Sequence, residues 1–154
     1  DVDLQVTLSE IRPDGNEVYI QSGWLRASHR KLDEAASTEL RPQQTHLEAD
    51  AEPLPAGEHA LARVELYPFG HVFRSGSRVR LSVESPGGDR AAWKFESLET
   101  DGDVFVQIGR SSTYPSRVVL PVLPGVEVPS PLPPCPGLRS QPCRTYQELL
   151  NAEE

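Results

Sequence analysis

PFGHVFRSGSRVRLSVESP, residues 68–86, carries the pattern on which the fold turns. Two aromatics, Phe69 and Phe73, sit in an opening turn, and a second turn follows at Ser75-Gly76-Ser77, where Gly76 can take a positive φ at no steric cost. From there Val79, Leu81 and Val83 alternate with Arg78, Arg80, Ser82 and Glu84. Period two with one apolar and one polar side predicts a half-buried antiparallel strand. Pro86 and the glycines after it end that strand, because proline cannot donate to a ladder.

The same alternation recurs outward. Val2, Leu4, Val6 and Leu8 alternate with polar residues, Arg12-Pro13-Asp14-Gly15-Asn16 has the chemistry of a tight turn, and a second strand starts near Glu17, predicting a hairpin. Its alternation, Val18 and Ile20, slips near Ser22-Gly23 and resumes at Leu25 and Ala27, which predicts a β-bulge at Gly23. Residues 29–41 have helix-like composition without an apolar stripe and read as a loop with one helical turn, and 42–57 as a crossing connection. Further strands are predicted at 60–66, 104–108 and 116–122. That makes about six, where a jelly roll uses about eight.

Composition agrees with an all-β class: 15 prolines and 11 glycines imply many turns, and only 37% of residues are hydrophobic. A net charge of -8 with just two lysines, Lys31 and Lys94, argues against nucleic-acid partners, since phosphate contacts need clustered cations. No apolar run approaches the roughly 20 residues of a membrane span, and no signal peptide is visible, so a soluble chain without a membrane partner is expected, cytoplasmic or exported. The chain holds no methionine and begins at Asp1 inside a strand pattern, as a piece of a longer polypeptide would.

Residues 126–154 read as a separate tail, with six prolines between Pro124 and Pro136 and a C-terminal stretch able to form a helical turn or two. Cys135 and Cys143 match neither a four-ligand zinc site nor a redox pair, which leaves a local disulfide open. Such a bond would favour an exported protein.

Chemistry is scarce. The sequence has no G-x-S-x-G elbow, and its four histidines, His29, His46, His59 and His71, fall at no metal-ligand spacing. Asp1 and Asp3 could face a calcium ion, but strand polarity explains them more simply. No catalytic, cofactor or metal residue is assigned. Trp24 and Trp93 admit a carbohydrate-binding module as the alternative function. Asp89, Arg90 and Trp93, on one loop, have the composition of an interface anchor.

Four stretches, in order, resemble the C-terminal domain of the cocaine-esterase and X-prolyl dipeptidyl-peptidase family of serine hydrolases. DVDLQVTLSEIRPDG is similar to that family's Asp-x-Asp strand and Pro-Asp-Gly turn, and GWLRASHR to its Gly-x-x-Arg-Ala-x-x-Arg segment, matched by Gly23, Arg26, Ala27 and Arg30. VFRSGSRVRLSVESP resembles its Phe-x-x-Gly-His-Arg-Ile-Arg-Leu strand through Phe73, Gly76, Arg78 and Arg80, with Ser77 in place of the histidine. YPSRVVLPVLP resembles its closing strand. The loop GGDRAAWKF departs from the family's usual Asn-Phe-Pro-x-Phe. The resemblance implies a jelly-roll β-sandwich, galactose-binding-like, over residues 1–125, lacking its first strands and packed on an α/β-hydrolase domain of the same parent chain. That upstream domain would hold the nucleophile, acid and histidine. An open apolar face in such a piece predicts a homodimer or strand swap.

Overall fold

The computed structural model describes residues 1–87, 98–136 and 143–148. Its frame is the predicted hairpin. β1 (Asp3–Ile11) and β2 (Asn16–Arg26) pair antiparallel from Asp3↔Arg26 to Ile11↔Glu17. The connection is tight because Gly15, at φ 83°, lets its amide reach the Arg12 carbonyl at 3.0 Å, while the Asp14 carboxylate accepts from the Asn16 amide at 3.0 Å.

β3 (Arg78–Glu84) adds to the free side of β1, antiparallel, in register Gln5↔Glu84 through Ile11↔Arg78. Gly76, at φ 84°, makes the turn that feeds it, with Pro13 of the hairpin turn packed beside it. A short β4 (Cys143–Thr145) pairs with Asn16–Val18 of β2, which gives the order β3-β1-β2-β4. The fold is all-β and antiparallel, and its only helical pieces among the described residues are two 3₁₀ turns, Ala27–His29 and Glu48–Asp50.

The bulge lies elsewhere than predicted. Leu8 pairs with Gln21 and Ser9 with Tyr19, so Ile20 is the extra residue, whereas Gly23 sits in regular register opposite Val6. Glycine is required at 23 for another reason. The backbone of Glu65 passes directly over it, and a Cβ there would collide with the Glu65 carbonyl oxygen.

The predicted strands at 60–66, 104–108 and 116–122 join no ladder among the described residues. Residues 60–64 keep the period-two burial, with Ala60, Ala62 and Val64 half-buried and Leu61 and Arg63 exposed, and the alternation stops at Glu65 and Leu66, both half-buried. This segment follows the outer edge of β2, where the Tyr67 amide points at the Ser22 carbonyl at 3.5 Å. The helical turn expected within 29–41 reduces to a turn held by Asp33, whose carboxylate accepts from the amides of Ala35 and Ala36. The tail, expected to be extended and outside the core, supplies β4.

The core is small and sits at the turn end of the hairpin and along β2. Leu8, Ile11, Val18, Ile20, Leu25 and Ala27 are buried. The apolar row of β3 is not: Val79, Leu81 and Val83 remain 51%, 42% and 40% exposed.

Candidate functional site

Strand alternation gives the sheet two unlike faces. On the polar face, Gln5, Thr7 and Ser9 of β1 stand beside Glu84, Ser82 and Arg80 of β3 and Trp24, Ser22 and Tyr19 of β2. These side chains bond to one another in a row. The Trp24 indole donates to Gln5 Oε1 at 2.8 Å, the Thr7 hydroxyl donates to Glu84 at 2.7 Å, and the Ser9 hydroxyl donates to Glu17 at 2.7 Å.

Glu17 is the hub of this face. It is buried, and its Oε2 accepts from Arg80 of β3 and Arg144 of β4, each at 3.0 Å. Burial by itself would push the Glu17 carboxyl up. The hydrogen bonds from Arg144 and Ser9, with both guanidinium charges nearby, outweigh it and hold the carboxyl below the usual carboxylate range. The Tyr146 ring covers the same corner, with the Arg78 and Arg80 guanidinium carbons 5.1 and 5.6 Å from its centroid.

A second buried carboxylate lies on the apolar face. Glu10 continues the row Leu4, Val6, Leu8 and is fully buried. Ser77 donates to its Oε1 at 2.6 Å, His71 Nε2 meets Oε2 at 2.9 Å, and Arg12, also buried, brings Nε to 3.6 Å. A serine, a histidine and an acid thus converge, yet not as a hydrolytic relay, which needs the imidazole between serine and acid. Here the carboxylate stands between the other two. The geometry pins the 71–77 turn to β1 and activates no hydroxyl.

The remaining motif residues also make contacts within the chain. Arg26 clamps Asp3 with two bonds, Nε at 2.8 Å and Nη2 at 3.0 Å, and this pairing holds the Asp3 carboxyl below its usual range. Asp1 caps the amides of Val2 and Ser28, so both acids considered for calcium are engaged by protein groups. Arg30 bonds the Ala27 carbonyl and pairs with Glu52. Phe73 meets the His71 ring edge-on at 4.9 Å. Trp24 packs on Tyr67 at 5.7 Å between centroids in addition to its Gln5 bond, an internal role.

Asp89, Arg90 and Trp93 lie outside the described residues. Cys135 and Cys143 are joined as a disulfide, their Cα atoms 5.7 Å apart. Among the described residues no group of three or more His, Cys, Asp or Glu is arranged to hold a metal, and no helix is long and apolar enough to cross a membrane. An open depression at Asp1, Leu98, Glu99, Thr100, Asp101 and Val104 brings no nucleophile and base together.

Sequence reasoning missed Glu10 and Glu17. Glu10 had left a signal, a carboxylate continuing an apolar row, which a strand tolerates only where the charge is partnered. Glu17 left none, because the two arginines that pair with it are distant in sequence.

What the geometry defines is an antiparallel β unit whose buried carboxylates are bonded by its own side chains, with an exposed apolar row on β3 and no assembled catalytic group among the described residues. The chain belongs to the X-Pro dipeptidyl-peptidase C-terminal non-catalytic domain family, whose model matches residues 1–119. It is 32% identical over 120 residues to proteins named "Putative serine esterase" from Mycobacterium bovis and from Mycobacterium tuberculosis. The match takes in 77% of this chain and 18% of each relative, so the chain spans less than a fifth of their length. No solved structure matches it significantly.

Proposed function

We propose that this chain packs the exposed apolar row of β3 against the α/β-hydrolase domain of a longer parent chain and helps shape that domain's active site. The parent is a serine hydrolase of the acyl-esterase or X-Pro dipeptidyl-peptidase type, cleaving ester or amide bonds through an acyl-enzyme formed upstream. Residues 1–125 are the packing domain, a jelly-roll sandwich when complete, and 126–154 its tail. No catalytic residue belongs to this chain.

The observation that carries the reading is the exposed row Val79, Leu81 and Val83 on a sheet whose other face is satisfied by its own hydrogen bonds. An apolar row of this kind marks a contact surface. The names of the relatives and their far greater length support a hydrolase as the occupant. Asp89, Arg90 and Trp93, a few residues beyond β3, are the proposed anchors of the contact. Separated from that partner, the chain is expected to self-associate through the same face.

A fluorophosphonate probe tests the division of labour. It should label the full-length parent and leave the 154-residue chain unlabelled. Labelling of the chain would overturn the reading.

A further inference from the structure

Beyond residue 119, where the family match ends, the chain turns back along one end of the sheet. The Arg12 guanidinium donates to the Pro133 carbonyl at 2.8 Å, and Arg74 Nη2 donates to Ser130 and to the Pro131 carbonyl at 3.2 Å. These anchors come from the two turns at the same end, residues 12–15 and 74–77. The chain then enters β4, whose three residues pair with Asn16–Val18, and the Tyr146 amide donates to the Gly15 carbonyl at 2.9 Å. Side chains complete the crossing: Arg144 reaches Glu17 on β2, and Tyr146 reaches Arg78 and Arg80 on β3.

We propose that Ser130–Pro136 and Cys143–Tyr146 form a strap that closes the turn end of the sheet, and that the Cys135–Cys143 disulfide holds it in place. A strand of three residues cannot hold an edge alone against its ordering entropy. The disulfide joins the first residue of β4 to a segment already pinned by Arg12 and Arg74, so the docked strand loses less freedom than a free one would. With the bond intact, the strap occupies the backbone edge at Asn16–Val18. Reduction by a dithiol transfers two electrons and two protons to the cystine, leaving thiols on Cys135 and Cys143 and an oxidised reagent. The strap then undocks and the backbone edge at Asn16–Val18 is uncovered.

Hydrogen exchange of the whole chain, with and without a dithiol, tests this. Reduction should speed exchange in peptides covering 143–146 and 16–18 by about tenfold or more, with the amides shared by β1 and β3 unchanged. Cys143→Ser should reproduce the reduced pattern without reagent. The proposal is overturned if 143–146 is unprotected before reduction, if its protection survives reduction or the serine variant, or if β1 and β3 lose protection along with it.

Discussion

The backbone of Glu65 runs directly over the face of Gly23, with its carbonyl oxygen in the space a side chain would enter. This approach is what lets residues 64–67 follow the edge of β2, and it is why the segment GWLRASHR needs glycine first. Gly23→Ala forces the crossing chain outward, since the obstruction is backbone. We expect a loss of about 2–3 kcal/mol, read as a lowered urea midpoint at unchanged m value. An alanine variant as stable as the parent sequence would show that the crossing is not fixed at this point.

Glu10 should be as sensitive. With Arg12 buried beside it and both Ser77 and His71 bonded to it, Glu10→Ala strands a buried guanidinium and frees the 71–77 turn. Breaking a buried pair from one side costs about 3 kcal/mol or more. Equilibrium denaturation measures the loss, and Glu10→Gln, which keeps the shape and part of the bonding, should lose less.

Acid should weaken the sheet through Asp3 and Glu17. Both carboxyls are held below their usual values in the folded chain, Asp3 foremost by its hydrogen bond from Arg26, and Glu17 by Arg144 and Ser9 against the opposing effect of burial. A depressed folded pKa contributes stability that is present above the unfolded value and lost as pH falls through the folded one. The contribution of these two carboxyls should therefore be level from neutral pH to about pH 5 and decline below about pH 4. In a series of urea midpoints across that range, Asp3→Asn should be less stable at neutral pH and show a shallower acid decline. An unchanged slope would remove Asp3 from the account.

The exposed β3 row should make the isolated chain associate. Sedimentation at rising concentration should detect dimers or larger species, and Leu81→Lys should return them to monomer while altering stability by no more than about 0.5 kcal/mol, because Leu81 is 42% exposed. A stable monomer at high concentration of the unsubstituted chain would contradict this.

The elements legible in the sequence rest on local chemistry. β1, β2 and β3 follow from period-two alternation beside the Pro-Asp-Gly and Ser-Gly-Ser turns, each strand lying within a few residues of its turn. β4 was not legible, since three residues in a proline-rich tail have no period and their place is set by Glu17, far away in sequence. The bulge was misplaced because a glycine in a strand signals either an extra residue or a close backbone approach, and sequence does not distinguish them. Residues 60–64 show the right faces without a ladder, as pattern reports burial and not pairing. Of the candidate site, the motif residues Arg26, Arg30, Phe73, Gly76, Arg78 and Arg80 lie in the turn, ion-pair and ring contacts described above, whereas Asp89, Arg90 and Trp93 lie outside the described residues.

On the proposed reading, the apolar row of β3 is a surface the parent hydrolase covers. The cysteines of this chain are paired, so Leu81→Cys introduces a single free thiol at the middle of that row. Its rate of alkylation in the isolated chain, kept dilute, and in the full-length parent is the direct comparison. Packing against the rest of the hydrolase predicts a rate in the parent lower by about tenfold or more. Equal rates in the two would contradict the account.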